Sequence, residues 1–272
     1  MAQGTVPLVS VVTPAYNAAE FVVAAIESVT AQTFDDWEMI IVDDCSNDRT
    51  LAIGEKFARA DARICVTRSS SNQGPGPTRN QAVSMARGRY LAFLDADDLW
   101  HPRKLERQLA FMKEKRCAFS FTGYDIISSS NQRIGSLENV LPQVTYVDLL
   151  KNNPIGCLTV MLDREKTGGV RFPSFRTNQD FALWLQILKS GITAHGLDEI
   201  LASYRIVANS NTRSKWKSAR GVWRVYRSQQ LPLLRTLWLY AHYAVRGTLK
   251  HFRTGAFAGD SAASHRSRRV SF

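Results

Sequence analysis

Short apolar runs alternate with amphipathic stretches along the first hundred residues. "LVSVV" (8–12), "EMIIV" (38–42), "RICVT" (63–67) and "RYLAFL" (89–94) have the length and composition of buried strands. Between them the spacing of apolar positions changes to a helical one. Phe21, Val22, Ala25, Ile26 and Val29 fall on one side of a helix predicted over 18–33, and further helices are predicted over 49–60 and 78–87. Strands this apolar, separated by helices, predict an α/β fold with a mainly parallel sheet covered on both faces. The second half is less regular. There "CAFSFTGYDII", "CLTVML", "ITAHGL" and "LASYRI" predict strands, and 145–152 and 178–190 predict helices. No internal repeat is found.

This layout gives the acidic residues a meaning. In open α/β sheets, ligands bind beyond the carboxyl ends of the strands. Asp43 and Asp44 follow "MIIV", while Asp95, Asp97 and Asp98 follow "YLAFL". "TPAYN" (13–17) follows the first strand. Either cluster alone is as readily a helix cap, since "DDCSNDRT" and "DDLWHP" both precede helices. Together, at matching strand ends, they favour a site. Carboxylates in D-x-D spacing are hard oxygen ligands suited to Mg²⁺ or Mn²⁺, cations that keep waters and bridge to substrate phosphates. That chemistry suits a nucleoside diphosphate. A Walker lysine loop and a GxGxxG turn after a strand are both absent. "NQGPGPTRN" (72–80) is expected as a turn into a helix, because its prolines remove amides that would cradle phosphate.

Composition narrows the class further. With 272 residues, 44% hydrophobic and 22% charged, the chain is that of an ordinary globular protein. No apolar run reaches the roughly 20 residues that span a bilayer. The N-terminal "MAQGTVPLVSVV" lacks the basic and apolar regions of a signal peptide. Cys45, Cys65, Cys117 and Cys157 form no CxxC pair and read as reduced thiols of a cytosolic protein.

The net charge of +11 is concentrated at one end. Residues 1–212 hold 22 Lys and Arg against 23 Asp and Glu, whereas 213–272 hold 13 against 1. This divides the chain into a domain over 1–212, a basic amphipathic helical segment over 213–252, and a tail over 253–272 expected to be disordered. Arg213, Lys217, Arg220, Arg224 and Arg227 fall within roughly an 80° arc at helical spacing. Trp216, Ala219, Val222, Trp223 and Tyr226 flank that stripe. Such a helix suits an anionic membrane surface, with peripheral contact through 213–250. The alternative is a helix hairpin packed on the domain with a solvated charged face. Nucleic-acid binding has no recognition motif to support it.

Three separated stretches then carry a family resemblance. "VSVVTPAYNAAEFVVAAIESVTAQTFDDWEMIIVDDCSNDRT", "GPTRNQAVSMARGRYLAFLDADDLW" and "QDFALWLQI" together resemble a family-2 glycosyltransferase of the GT-A fold. Within the family, the look is closest to enzymes building envelope polysaccharides of the teichuronic acid or exopolysaccharide type. The resemblance implies that Pro14 and Tyr16 line the nucleoside pocket and that Asp44 accepts a hydrogen bond from the base edge. It implies that Arg79 contacts the nucleotide, a structural salt bridge being the alternative. Asp95 would hold the ribose, and Asp97 would ligate a Mg²⁺ or Mn²⁺ ion on the diphosphate. Asp98 would be a helix cap or would support the metal residues, with the cap preferred, and His101 a bystander. Asp180 would be the general base, and Gln179 stands where the family usually has Glu.

The activity implied by this resemblance is that of an inverting, metal-dependent transferase. It would move a sugar from a nucleotide-sugar donor, UDP-linked by family prevalence, to a lipid-linked or polysaccharide acceptor. It would work at the cytoplasmic face of the membrane. The rival readings are a soluble glycosyltransferase with a protein or small-molecule acceptor, an inactive nucleotide-sugar-binding scaffold, and a nucleotidyltransferase.

Overall fold

A computed structural model describes residues 6–137, 140–207 and 215–241 of the chain. β1 (Val9–Ala15), α1 (Val22–Thr30), β2 (Trp37–Asp43), α2 (Thr50–Ala60), β3 (Ile64–Arg68), α3 (Pro75–Met85) and β4 (Tyr90–Phe93) follow in strict alternation. Their strands pair in parallel in the order β3-β2-β1-β4. Next come β5 (Leu99–Trp100), α4 (Lys104–Lys115), β6 (Phe119–Ile127), β7 (Arg133–Leu137), β8 (Gln143–Val144) and α5 (Tyr146–Lys151). The last described elements are β9 (Met161–Asp163), α6 (Arg164–Thr167), α7 (Gln179–Lys189), β10 (Ala194–Arg205), α8 (Lys215–Ser228) and a helix over 233–241.

One sheet runs through all of this, continuing from β4 through β9, β6 and β10 to β5, with β7 on β6 and β8 on β10. Six strands, β1 to β4 with β6 and β10, point the same way, and the short β5, β7, β8 and β9 oppose them. The period of two along each strand divides the core between the two faces. Val12, Ile40 and Val42 join α7 and α8 on one face, while Val11, Met39 and Ile41 join α1 and α4 on the other. Every residue of β2 is buried, which is why residues 39–42 are apolar at successive positions.

Several sequence expectations are corrected. α3 starts at Pro75 rather than 78, because Gly74 takes a left-handed φ of 87° and Pro75 fits the first helical turn. In "CLTVML", Cys157–Thr159 form a 3₁₀ turn, and only Met161–Asp163 pair as a strand. "ITAHGL" and "LASYRI" are one strand, β10, with register shifts between Leu197 and Ala202. The intervening Asp198 and Glu199 look like a loop in sequence but have partners. Asp198 accepts the Val140 amide at 3.0 Å, and Glu199 pairs with Arg107.

α8 is built onto the domain. Val222, Val225 and Tyr226 are buried in the same core as Trp184 and Phe181. The Tyr226 hydroxyl donates to the Leu150 carbonyl at 2.7 Å, and its ring centre lies 6.1 Å from that of Phe181. Val222 and Tyr226 therefore do not form the open flank expected beside the basic stripe. Arg213 and the 253–272 tail lie outside the described residues, as do the side chains of Trp216, Lys217 and Ala219. Among the described residues, no helix is long and apolar enough to cross a membrane.

Candidate active site

The carboxyl ends of β1, β2 and β4 open onto one edge, as the strand order requires. At the end of β1, Pro14 is half-buried, and just after the strand Tyr16 is exposed. After β2, the Asp44 carboxylate is buried, and its two oxygens accept the Gln73 and Gly74 amides at 2.9 and 2.8 Å. Asp44 thus ties β2 to the turn that starts α3, and a base edge would have to share an oxygen already in use. Asp43 accepts the Ser46 amide at 3.1 Å and faces Arg68 at 3.5 Å. Neither acid caps α2, whose cap position is Arg49 without a side-chain bond. Asp48 instead accepts the Thr50 amide at 2.9 Å.

At the end of β4, Asp95 pairs with Arg79, one turn into α3. The Arg79 side chain is only 3% exposed, and its Nε and Nη1 have no hydrogen-bond partner. Burial works against its charge, but the facing Asp95, Cys157 and Asp180 more than offset this and hold its pKa above the ordinary arginine value. A buried guanidinium with two free donors is chemically suited to an anion.

Asp97 lies on the same loop, half-buried, its carboxyl pushed up to about 6 by burial and by the Asp95 charge. Arg205 and Arg79 pull in the opposite direction. Asp98 is fully buried, and its carboxyl is raised by burial and by Asp97 and Asp95. It accepts the Arg205 amide at 2.9 Å, so the preferred cap role is overturned: α4 begins after Arg103 with no side-chain cap.

Asp180 is the second residue of α7, reached through Asn178 at a left-handed φ of 56°. Burial raises its carboxyl, with Arg79 opposing. That makes it a stronger base than a solvated aspartate. The neighbouring Gln179 is buried with its Oε1 unpaired. Its stem packs on Gly76, where a Cβ would lie 2.6 Å from the Pro173 carbonyl, so loop 173–178 and the start of α3 sit in close contact. His101 stands apart, with Nε2 3.3 Å from Ser203 Oγ and 3.6 Å from Asp125.

Sequence reasoning missed two participants. Arg205, at the end of β10, donates through Nε to the Asp97 carbonyl at 2.6 Å. Through Nη1 it donates to Asn131 Oδ1 at 2.5 Å and to the Ser128 carbonyl at 3.1 Å. It clamps the acidic loop from over 100 positions away, and its one sequence signal is an arginine ending an apolar strand. Cys157 is the other, a buried thiol raised by desolvation beside Arg79 and Asp95.

The residues fit a divalent cation of a particular kind. Among the described residues, no three His, Cys, Asp or Glu gather as a protein cage. A single half-buried carboxylate, Asp97, with Asp95 beside it, suits an ion held by one or two carboxylates, waters and the phosphates of a bound nucleotide.

Comparison with known proteins gives the family and the fold. The family model for glycosyl transferase family 2 matches residues 10–183. TuaG of Bacillus subtilis (strain 168), named as a glycosyltransferase of teichuronic acid biosynthesis, is 47% identical over 245 residues, covering 90% of this chain and 97% of its own. WfgD of Escherichia coli, named as a UDP-Glc:α-D-GlcNAc-diphosphoundecaprenol β-1,3-glucosyltransferase, is 39% identical over 247 residues, covering 90% and 95%. The crystal structure of S. aureus TarS 1–349 in complex with UDP-GlcNAc superposes with a TM-score of 0.67 at 21% identity, over 87% of this chain and 71% of that one. The likeness to TarS bears on the fold alone, which is GT-A. The chain belongs to glycosyltransferase family 2 and is a glycosyltransferase.

Proposed function

We propose that the chain transfers a sugar, with inversion, from a UDP-sugar to a lipid-linked saccharide of envelope polysaccharide synthesis. Working peripherally at the cytoplasmic membrane face belongs to the same reading. The observation that carries it is the convergence of Asp95, Asp97, Arg79 and Asp180 at the carboxyl edge of the sheet, two of them with unmet chemistry. Arg79 has two buried free donors for an anion, and Asp180 is a carboxylate made more basic by burial.

Pro14 and Tyr16 border the nucleoside, with Asp44 and the 72–74 turn beside the base and Asp95 near the ribose. Asp97 would hold a Mg²⁺ or Mn²⁺ ion, which would supply Lewis acidity for the diphosphate leaving group. Asp180 takes the proton from the acceptor hydroxyl as that oxygen attacks the anomeric carbon. The bond to the diphosphate breaks on the opposite face, and the electron pair leaves with it. No second carboxylate is required as nucleophile, so one displacement inverts the centre. The UDP-sugar donor and the lipid-linked acceptor are both supported by the substrates in WfgD's name.

The test is to incubate the chain with a panel of UDP-sugars, Mn²⁺ and a GlcNAc-diphospho-lipid acceptor. Expected are UDP release and a product of opposite anomeric configuration by NMR. Retention of configuration, or turnover undiminished by chelation and by Asp97→Ala, would overturn it.

A further inference from the structure

Four large apolar side chains crowd one face of the helix over 233–241. Leu233, Leu234, Leu237 and Trp238 are 56, 83, 48 and 58% exposed, while Thr236 and Leu239 on the other side are buried. At helical spacing the four span an arc of about 140°, an unbroken stripe rather than scattered surface residues. The helix is anchored at one edge of the stripe, where Tyr240 meets Trp223 of α8 with ring centres 5.4 Å apart.

Cations border it. Arg220, Arg224 and Arg227 are exposed on α8, opposite the buried Val222, Val225 and Tyr226. These arginines fall within an arc of about 60°, and Trp223 lies about 40° from Arg227 around the helix. The arginine face therefore adjoins the side on which the last helix sits. No acid nearby in sequence balances them: residues 200–259 contain no Asp or Glu. A second copy of the chain would bring the same cations to the same place, so repulsion opposes self-association through this face. An anionic bilayer offers both an apolar interior and the missing negative charge.

We propose that the helix over 233–241 seats Leu233, Leu234, Leu237 and Trp238 in an anionic lipid bilayer, with Arg220, Arg224 and Arg227 on the headgroups. The lipid face is thus the last helix, not the flank of α8, whose Val222 and Tyr226 are used in the core. α8 is fastened to α7, whose first turn carries Asp180. A Cβ on Gly221 would collide with the Asn178 side chain, two residues before Asp180. α8 thus connects the docking helix, through Trp223 and Tyr240, to the helix that carries the candidate base. That gives a lipid-linked acceptor a reason to be near Asp180, and this last step alone rests on the proposed function.

The full chain should sediment with phosphatidylcholine vesicles containing phosphatidylglycerol and not with phosphatidylcholine alone. The exposed pair Leu234→Asp with Leu237→Asp should weaken binding roughly tenfold or more while keeping the wild-type melting curve. Arg220→Glu with Arg224→Glu and Arg227→Glu should abolish the preference for the anionic lipid. The docking proposal is overturned if the wild type ignores vesicles or if the apolar pair variant binds as well as the wild type. It is equally overturned if sedimentation in solution shows a dimer that the pair variant dissociates. Binding is measured without substrate, so a chain that docks yet transfers to no lipid-linked acceptor refutes the acceptor and leaves the docking standing.

Discussion

Asp180 shows how one carboxylate acquires a task from its surroundings. A sugar hydroxyl is too weakly acidic to attack unaided, and burial raises the proton affinity of this side chain with Arg79 opposing. Asp180→Asn should therefore lower transfer by about 10²–10⁴-fold with UDP affinity unchanged by calorimetry. The base must be ionised to work and its pKa is raised. The acid limb of kcat/KM should accordingly lie above the ordinary aspartate value of about 3.9. Near-wild-type transfer in the variant would reduce Asp180 to a helix-start acid. Arg205 acts one step removed, through the Asp97 carbonyl and the 128–131 turn. Removing such an outer support costs about 10–100-fold in metal affinity. Arg205→Ala should weaken Mn²⁺-dependent UDP binding by that much and leave metal-independent UDP binding alone, with Arg205→Lys in between. Equal weakening of both would make Arg205 a general structural residue.

At the scale of elements, the alternating first half was legible because β1, β2 and β4 are buried on both faces and α1 on one. The acidic clusters could be placed for the same reason, since a parallel sheet puts successive strand ends on one edge. Features that depend on partners distant in sequence could not be read. β5 and β8 are two residues each and exist by pairing with β10. The Asp44 contact with the 72–74 turn and the Arg205 clamp likewise have no local signature.

Lys104 is another such case. It begins α4 with its side chain fully buried, Nζ donating to Gln108 Oε1 at 2.6 Å and lying 4.5 Å from the centre of the Trp100 ring. Burial lowers its pKa to about 7. The unfolded chain, where a lysine titrates at about 10.4, holds the extra proton across that window, so this group makes stability rise with pH between the two values. Lys104→Met removes the penalty but leaves Gln108 short of a donor, a cost of about 1–3 kcal/mol that does not depend on pH. The stability difference between variant and wild type should shift toward the wild type by up to about 1.4 kcal/mol per pH unit over roughly pH 7 to 10. Urea melts giving a flat difference over that range would show that Lys104 is solvated or charged throughout.

Seen as a whole, the molecule is a nearly neutral domain with a basic C-terminal end, and the charge arithmetic alone suggests two separable parts. Packing says otherwise. Val222, Val225, Tyr226, Leu231 and Leu239 belong to the same core as Trp184 and Phe93, although the charge changes abruptly before them. Full burial of such side chains is worth about 1.5–3 kcal/mol each, so five contribute on the order of 10 kcal/mol before ordering costs. Even half of that is comparable with the roughly 5–15 kcal/mol that stabilises a whole domain. Deleting 213–272 should then lower the melting temperature sharply or cause aggregation, and donor turnover should fall with it although the donor-site residues are intact. Reversing the exposed arginines of α8 should leave the melting curve in place. The deletion and the charge reversal separate the roles that sequence composition merges: the buried face of α8 completes the domain, and the exposed face carries the charge. A truncated chain that melts like the full one would mean that the C-terminal helices are an attachment and not part of the core.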